Sequence, residues 1–543
     1  MLKNLITTLA VAFIVAAGPA AINGQNIDPA FPLNPSRSVV FGWDIFINDQ
    51  PVQDQQESVI CSTYDGTLFA GYYYDNSGIA YVSIMKSSDA GKNWTLFFND
   101  GLGIGNCIFT RVDLAVIGST EETLKLLLGG VFVDTTKDGG GAFIAKINGL
   151  TGQNEGYLLL NSMGRINDLS IATDFPNSAG GSNPFSVGVL YSYNGTLTDS
   201  VVFYSSGDGG LTLGNRQVVA ATGNYFHKVK LTYGYSPAFP TGRYYAAWEE
   251  QDYASSESGH IYTAHSDPNF NSPFTIPVCL DCNHADLSKR CRNPVIACLN
   301  GNNDNDSLNI TETVIFENFK IPGNNYDLTG FYNKRAANND NFLRMNITQT
   351  PENEVQPGIC YNHFDSTFML TYYDVQNKKL PFLKNDFNLT EPEEWTVLSS
   401  GYNDNPNLAN PYPMVILNFE KQSGAAVWRS ERSGGNGAIM YDAEYIYYTG
   451  LPENNGSESV QLFGVHPNPC TDQATIVFEL KKASPVTIDL YSIMGMQIRT
   501  ITNREHRPGV NEIETAVSDL PPGVYIIRLT ADSGVGVRKI VKE

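Results

Sequence analysis

A short turn pattern recurs along the chain and constrains its fold more than any other feature. The segment from Ser87 to Trp94 reads S-x-D-x-G-x-x-W, and segments 136–143 and 206–213 repeat it with single replacements at its ends. In such a turn the Asp accepts backbone N–H bonds across the loop, the Gly adopts a positive φ, and the last side chain packs beneath. Three copies predict repeated β-hairpins. The residues concerned are Ser87, Asp89, Gly91, Trp94, Thr136, Asp138, Gly140, Phe143, Ser206, Asp208, Gly210 and Leu213.

The distance between the turns predicts the architecture. Weaker copies, with Asn at the Gly position, follow at Asp267 and Asp386, and a strand pair containing Trp248 is echoed by one containing Trp428. Four-stranded propeller blades need about 40–50 residues plus loops, and propellers hold about four to eight blades. We therefore predict an all-β chain in which residues 25–450 form a β-propeller of seven blades, with six as the alternative. The units are centred near residues 89, 138, 208, 267, 327, 386 and 442.

Composition supports a β-rich globular chain and limits its partners. The 543 residues include 49 Gly, 28 Pro, 29 Tyr and 28 Phe, and no long helical pattern is present in the sequence. The formal net charge is −21 and the pI is near 4.7, so the chain offers no basic surface for phosphates. We expect no nucleic-acid partner.

The turn segments resemble the Asp boxes, or BNR repeats, of sialidase-like propellers. Such boxes occur in enzymes and in binding proteins, so the resemblance implies architecture rather than activity. A sialidase would also need an arginine triad for the substrate carboxylate, a Tyr–Glu nucleophile pair and an acid Asp. The family's Arg-Ile-Pro motif is missing before the first turn, where Arg37 is the only arginine, and the other candidates are Arg243, Arg344 and Arg429.

The last part of the chain predicts a second domain. A polar, Asn- and Gly-containing stretch at 451–460 is typical of a linker. Six alternating apolar runs then follow in 461–543, separated by turn residues. About six or seven short strands in some 80 residues favour a C-terminal immunoglobulin-like β-sandwich.

Motifs in this region resemble a known export signal. The sequence Val465-His-Pro467-Asn468-Pro469 opens the region, and Gly495, Gly523, Tyr525, Lys539 and Lys542 stand in motifs that follow in order. Together they resemble the type A C-terminal sorting domain of the Bacteroidota type IX secretion system, except that His466 replaces the family's usual Tyr. The resemblance implies that this secretion machinery is a partner, and that the protein is secreted or attached to the cell surface.

The N-terminus predicts the first step of the same route. Lys3 precedes an apolar stretch from Leu5 to Ala17 and then small residues, which is the pattern of a secretory signal peptide over residues 1–24. No later segment approaches the roughly 20 apolar residues of a spanning helix, so we expect no transmembrane segment.

The eight cysteines all follow the signal segment, in a chain bound for an oxidising space. Four of them cluster as Cys279, Cys282, Cys291 and Cys298, with His284 nearby. One or two local disulfides are favoured, and a zinc site built from thiolates is the alternative. The sequence does not define the pairing.

Candidate chemistry elsewhere is weak. Glu249 and Glu250 beside Trp248 are candidates for a paired-carboxylate site of the glycosidase type. The competing interpretation is a strand end, because consecutive strand residues point to opposite faces. Asp304 and Asp306 in an Asn-rich run are candidates for Ca²⁺ binding, against a plain solvated loop, and no other cofactor is expected.

Three functional hypotheses follow. The first is an exported propeller that binds a glycan or a surface protein without catalysis. The second is a sialidase-like glycoside hydrolase, and the third is a structural component of the cell-surface layer. The first is favoured because both the scaffold and the export signal are visible in the sequence, whereas no catalytic constellation is.

Overall fold

The chain divides into two compact units, Met1–Ile446 and Tyr447–Glu543. The predicted signal peptide at 1–24 and most of the predicted linker at 451–460 lie outside the described residues. The computed structural model describes residues 41, 44–48, 53–63, 65–101, 107–118, 124–136, 139–160, 165–174, 186–195, 199–208, 210, 212–236, 239–253, 258–266, 274–284, 287, 290–299, 310–321, 323–334, 341–362, 367–386, 395–403, 407–418, 423–431, 435–444, 460–466, 470–480, 482–492, 497–521, 523–531 and 534–542.

Within its described residues, the first unit consists of seven antiparallel four-stranded sheets, here called blades 1 to 7. A short strand, β1 (Ile45–Phe46), precedes them. Blade 1 contains β2 (Gln56–Ser62), β3 (Leu68–Asn76), β4 (Ile79–Ser87) and β5 (Thr95–Asp100). Blade 2 contains β6 (Cys107–Ile117), β7 (Lys125–Asp134), β8 (Gly140–Asn148) and β9 (Asn154–Leu160). Blade 3 contains β10 (Arg165–Thr173), β11 (Val187–Asn194), β12 (Asp199–Ser206) and β13 (Gly214–Thr222).

The remaining blades follow in the same order. Blade 4 contains β14 (Tyr225–Ser236), β15 (Phe239–Gln251), β16 (Gly259–His265) and β17 (Val278–Cys279). Blade 5 contains β18 (Cys291–Leu299), β19 (Thr311–Lys320), β20 (Asn325–Asn333) and β21 (Leu343–Asn346). Blade 6 contains β22 (Glu354–Asn362), β23 (Thr367–Asp374), β24 (Phe382–Asp386) and β25 (Thr396–Ser399). Blade 7 contains β26 (Met414–Asn418), β27 (Ser423–Glu431), β28 (Gly437–Ala443) and β1.

The first strands of successive blades contact one another in a closed ring, from β2 through β6, β10, β14, β18 and β22 to β26, which returns to β2. The first unit is therefore a β-propeller with seven blades, the number that the turn spacing predicts. An N-terminal strand closes the ring, because β1 pairs with β28 and so completes the last blade. Ile47 and Gln55 extend this closure by donating their N–H groups to carbonyls of blade 7.

Buried apolar side chains fill the spaces between neighbouring blades. Trp248 and Trp428, which the sequence repeat relates, lie on the second strands of blades 4 and 7 and are fully buried. Trp248 stacks on Tyr262 of the adjoining strand, with 6.0 Å between ring centroids. These contacts explain why alternating apolar positions recur in every strand of the repeat.

A β-bulge interrupts the inner strand of each of blades 1 to 6. The bulges lie near the start of the strand and leave one residue out of the ladder in blades 1 to 4 and two residues in blades 5 and 6. In five blades the extra residue, or its equivalent, has a positive φ. These residues are Glu57, Lys228, Asn293, Gln356 and Tyr412, with φ of 36°, 39°, 51°, 55° and 42°.

The second unit is an immunoglobulin-like sandwich. Its first sheet contains β29 (Val460–His466), β30 (Gln473–Leu480) and β33 (Gly509–Ala516). Its second contains β31 (Ser484–Ser492), β32 (Gln497–His506), β34 (Gly523–Ala531) and β35 (Gly534–Lys542). Phe478, Ile488 and Leu529 lie in the shared core.

Candidate ligand-binding site

The seven inner strands surround a central cavity of about 270 Å³. It lies where these strands begin, because the bulged residues line it. All seven blades contribute to its wall. The charged and polar side chains of the wall belong to Glu57, Ser58, Arg111, Asp113, Ser170, Lys228, Lys230, Asn293, Gln356 and Tyr412.

A belt of hydrogen bonds joins successive blades, from blade 1 to blade 7, at this level. In each case a carboxylate or amide oxygen of one blade accepts a backbone N–H group of the next blade's inner strand or of the residues that lead into it. This interblade belt satisfies buried donors that would otherwise cost about 1–3 kcal/mol each. Its members are Val112 N to Glu57 (3.2 Å), Ile171 N to Asp113 (2.7 Å), Val229 N to Asp168 (3.0 Å), Asn293 N to Glu249 (3.1 Å), Gln356 N to Glu317 (2.8 Å) and Tyr412 N to Gln356 (3.0 Å).

Arg111 links three blades within the belt. Its Nε donates to Asp168 Oδ1 at 2.6 Å, and its Nη1 contacts the Glu57 carboxylate. Burial disfavours both charges, yet the Arg111 guanidinium holds the pKa of Asp168 below its usual value, and the two carboxylates raise the pKa of Arg111. Arg111 and Asp168 therefore form a buried, structural ion pair.

Two lysines give the cavity its unbalanced charge. Lys228 forms no ion pair with any residue that the structure describes, and its Nζ lies 5.9 Å from the ring centroid of Tyr412. Arg111 and, after it, burial lower the pKa of Lys228. Lys230 opposes the effect of burial, which raises the pKa of Asp113. The cavity wall thus holds three cationic and two anionic side chains, in a protein whose net charge is −21.

A second cavity of about 390 Å³ adjoins the first through Lys228, which lines both. No carboxylate is among the described residues of its wall. Its polar lining consists of Thr110, Arg165, Asn167, Asn194, His227 and Lys228. Burial lowers the pKa of His227, whose Nε2 lies 3.0 Å from Gln251 Oε1. We call the two cavities together the recess. The described residues of its wall include four cationic side chains, against the carboxylates of Glu57 and Asp113.

Glu249 and Glu250, the candidate carboxylate pair, lie near the end of β15 and point to opposite sides of blade 4. Glu249 belongs to the interblade belt, and burial raises its pKa to about 7. Glu250 accepts hydrogen bonds from Thr222 Oγ1 at 3.0 Å and Asn224 Nδ2 at 2.9 Å, which fixes the connection between blades 3 and 4. Neither carboxylate lines the central cavity, so the structure does not bring them together as a site.

The candidate arginines are also dispersed. Arg243 lies on the second strand of blade 4 and Arg344 on the outer strand of blade 5. Arg429, in blade 7, donates to Gln55 O, Ala409 O and Asp54 Oδ1 and so holds blade 7 to blade 1. Arg37 lies outside the described residues. None of the three described arginines lines the cavity.

Two of the predicted turns have the same geometry. In blade 1, Ser87 Oγ donates to Asp89 Oδ1 at 2.8 Å, Gly91 N donates to Ser87 Oγ at 2.9 Å, and the Asp89 carboxylate accepts Asn93 N at 2.9 Å. Gly91 has a φ of 88°, and Trp94 is buried below it. Ser206, Asp208 and Gly210 of blade 3 repeat these bonds at 2.6, 2.9 and 3.0 Å, and the partly buried Leu213 packs at the end of the turn.

The third copy lies at a different turn. The Ser87 and Ser206 copies connect the third and fourth strands of their blades, whereas Thr136 lies between the second and third strands of blade 2. Thr136 Oγ1 donates to Asp134 Oδ1 at 2.7 Å, Gly140 begins β8, and Phe143 is buried within that strand. Asp138 lies outside the described residues. The segment shares the composition of the pattern, but Gly139 and Gly140 here lead directly into a strand.

One disulfide joins Cys279 and Cys282, with 5.6 Å between their Cα atoms. Cys291 and Cys298 are buried thiols on β18, and burial raises both pKa values. His284 packs its ring against Phe331 rather than against the cysteines. A different histidine, His260, approaches the disulfide, with its Nδ1 atom 3.8 Å from Cys282 Sγ.

The other predicted residues divide between described and undescribed parts of the chain. Asp304, Asp306, Pro467, Asn468, Pro469 and Gly495 lie outside the described residues. Gly523 begins β34, Tyr525 is buried with its hydroxyl bonded to Pro521 O at 2.8 Å, and Lys539 and Lys542 lie on β35. No helix in the described part of the chain is long and apolar enough to cross a membrane.

Sequence reasoning missed the residues that line the cavity. Lys228, Arg111 and Tyr412 carry no local motif, because their roles depend on seven strands distant in sequence. One signal was present. An X-Pro pair recurs at the bulge of three successive blades, as Asn293-Pro294, Gln356-Pro357 and Tyr412-Pro413, at the blade spacing.

Residues 464–543 match the family model described as the secretion system C-terminal sorting domain. This confirms the resemblance of the sandwich unit to a type IX sorting domain and indicates export to the cell surface or secretion. The chain therefore consists of a propeller followed by a sorting domain. Among curated protein sequences, none matches the chain.

Solved structures with similar backbones include several enzymes. A protein of unknown function from Dyadobacter fermentans is 10% identical, covers 76% of this chain and 99% of its own, and has a TM-score of 0.42. An α-L-arabinofuranosidase from Fusarium graminearum is 12% identical, with 74% and 97% coverage and a TM-score of 0.42. A NanB sialidase variant from Streptococcus pneumoniae is 10% identical, with 76% and 71% coverage and a TM-score of 0.39. At these values no activity is transferred to this chain.

Proposed function

We propose that the protein is an exported, non-catalytic recognition propeller that binds a glycan bearing a carboxylate or sulfate group in its central recess. The observation that carries the proposal is the division of charge in the cavity wall. Both described carboxylates of the wall, Glu57 and Asp113, accept structural hydrogen bonds, whereas Lys228 forms no ion pair with a described residue. The group available to a ligand is therefore a cation.

The same division argues against a glycoside hydrolase. That chemistry needs two carboxyl groups facing the substrate, one as an acid and one as a base or nucleophile. Glu57 contacts Arg111 and the Val112 N–H, and Asp113 accepts the N–H groups of Leu114 and Ile171. Moving either carboxylate to a substrate would break the interblade belt.

The recess suits an acidic sugar in other respects. Beside Lys228 and Arg165, the Thr110 hydroxyl, Asn167 Oδ1 and Asn194 Nδ2 offer groups for sugar hydroxyls, while Asn167 Nδ2 is bonded to Asn194 Oδ1 and Phe226 O. Tyr412 provides an aromatic face next to the Lys228 ammonium. A cavity lined by cations and low-dielectric walls concentrates anions even when the whole protein is acidic.

The test compares three forms of the protein on an array of neutral, uronic-acid, sialylated and sulfated glycans. The parent should bind acidic glycans, and Lys228→Gln should bind them at least about tenfold more weakly, the loss of one charge-assisted contact. Lys378→Gln is the matched control, because Lys378 is exposed in a turn and does not line either cavity. Equal binding by Lys228→Gln, or a preference for neutral glycans, would overturn the proposal.

Hydrolysis is measured on the same proteins. We expect no turnover of aryl glycosides, sialosides included. Turnover that is lost in Glu57→Gln or in Glu249→Gln would instead establish an enzyme. Binding should also fall as pH rises, and the fall should begin below the range of an ordinary lysine because Arg111 lowers the pKa of Lys228.

A further inference from the structure

The loop that leads from blade 4 to blade 5 gathers four metal-binding side chains at the edge of the propeller. The donor atoms of His260, Cys279, Asp281 and Cys282 all lie within 4.8 Å of one another. His260 comes from the start of β16, Cys279 ends β17, and Asp281 and Cys282 lie in the turn that follows. None of these four residues lines either cavity of the recess described above, so the cluster is independent of that recess.

Two of the donor distances are those that a tetrahedral ion needs. His260 Nδ1 lies 3.8 Å from Cys282 Sγ, and Cys279 Sγ lies 3.6 Å from Asp281 Oδ1, whereas tetrahedral zinc with its usual bond lengths places neighbouring ligand atoms about 3.3–3.8 Å apart. Two other pairs are closer than this. The two sulfur atoms are bonded to each other, and His260 Nδ1 lies 2.7 Å from Asp281 Oδ2 as an ion pair, which would open by about 0.6 Å around a shared ion.

Backbone groups already hold this turn in a ligand-binding form. Cys282 N lies 3.2 Å from Cys279 Sγ and would donate to a thiolate there. Ile261 N donates to Asp281 Oδ1 at 2.8 Å, and this fixes the carboxylate while leaving Oδ2 directed at His260. Asp281 is buried and Cys282 is exposed, so the site is anchored on one side and reachable from solvent on the other. Such outer contacts are what orient ligands in metal sites.

We propose that the reduced protein binds one zinc ion through Cys279, Cys282, His260 and Asp281, and that the Cys279–Cys282 disulfide excludes the metal. The two states compete for the same sulfur atoms. In the laboratory a phosphine supplies the reducing step, in which the phosphine and one water become phosphine oxide and the disulfide becomes two thiols. Zinc then displaces the two thiol protons.

The test uses Co²⁺ as a spectroscopic probe on the purified protein, before and after phosphine reduction. Reduced protein should bind one Co²⁺ with a thiolate-to-cobalt charge-transfer band, and Zn²⁺ should bleach that band. Oxidised protein should show no band. Cys282→Ser should abolish the band, whereas Cys298→Ser, which removes a buried thiol from β18, should retain it. No band in the reduced parent, or an equal band in Cys282→Ser, would overturn the proposal.

A second variant separates loss of the site from loss of the fold. His260→Gln keeps both sulfur atoms and should weaken Co²⁺ binding by about tenfold or more. The thermal unfolding midpoint of the oxidised variant measures separately what is lost with the contact between His260 and the buried Asp281. Unchanged affinity in His260→Gln and also in Asp281→Asn would contradict the four-ligand assignment.

Discussion

The two ends of the propeller are held by different chemistry. At the cavity end, the interblade belt joins residues 39 to 61 positions apart, and its donors are backbone N–H groups of the inner strands or of the residues just before them. At the opposite end, where third strands turn into fourth strands, the Ser87 and Ser206 turns satisfy their own backbone within four positions. Local turns therefore leave a readable pattern in the sequence, and the belt does not.

The comparison also separates stability from recognition. The turns are self-contained, so they define each blade without reference to its neighbours. The belt couples successive blades from blade 1 to blade 7 and occupies the carboxylates around the cavity, which leaves Lys228 and Lys230 without an ion pair among the described residues. The turns at one end of the propeller repeat the same hydrogen bonds, whereas the cavity residues at the other end differ from blade to blade.

The largest expected effect is at the centre of the belt. Arg111→Leu leaves Glu57 and Asp168 buried without their cation, which should lower the free energy of unfolding of the propeller by about 3–5 kcal/mol. Urea denaturation measures this. Lys125→Leu is the control in the same propeller, since its ion pair with Glu155 lies at the surface of blade 2 and should contribute far less. If both variants lost a similar free energy of unfolding, the contacts of Arg111 would stabilise the propeller no more than a surface ion pair does.

The next effect distinguishes two turns with the same hydrogen bonds. Gly91→Ala places a Cβ 2.0 Å from the Tyr441 ring at a φ of 88°, which should cost about 2–4 kcal/mol from overpacking and backbone strain together. Gly210→Ala, at a φ of 79°, meets Leu127 at 3.3 Å and should cost roughly 1–2 kcal/mol. Thermal unfolding of the two variants should rank them in this order, and the reverse order would contradict the packing described for blade 1.

A smaller and matched effect is expected at the turn carboxylates. Asp89→Ala and Asp208→Ala each remove the acceptor of one backbone N–H and of two side chains, at a partly buried position. Each should destabilise the protein by about 1 kcal/mol. Differential scanning calorimetry should give equal shifts within error. A large difference would mean that the two turns are not equivalent.

Another change, in one residue of the interblade belt, concerns the pH dependence of stability. Burial raises the pKa of Glu249 from its ordinary 4.5 to about 7, so the folded state retains a proton that the unfolded state loses. Stability should therefore fall as pH rises from about 4.5 to 7 and then level off. Glu249→Gln keeps an acceptor for Asn293 N and should flatten part of this fall, as followed by unfolding midpoints across that range. An unchanged profile would show that Glu249 does not titrate there.

The sequence predicted the number of blades better than the position of their turns. The count of seven holds because each pattern copy falls in a separate blade, even though Thr136 lies at another turn of blade 2. The sandwich strands follow the predicted alternating runs closely, since period-2 alternation in one buried core sets both register and boundaries. These features are local or periodic.

The candidate site was less predictable because it is assembled from distant strands. Glu249 and Glu250 look like a catalytic pair when adjacent in sequence, but each contacts a different neighbouring blade. Likewise His284 follows the cysteines in sequence, whereas His260 reaches them across two strands. Neither contact can be predicted from residue spacing within one segment of the sequence.

A calorimetric titration tests the central claim most directly. An acidic oligosaccharide identified on the array is titrated into the parent and into Lys228→Gln, each checked for hydrolysis of the same sugar. The account predicts one site per chain, intact ligand, and affinity reduced at least about tenfold in the variant. Equal affinities, or a cleaved ligand, would contradict it.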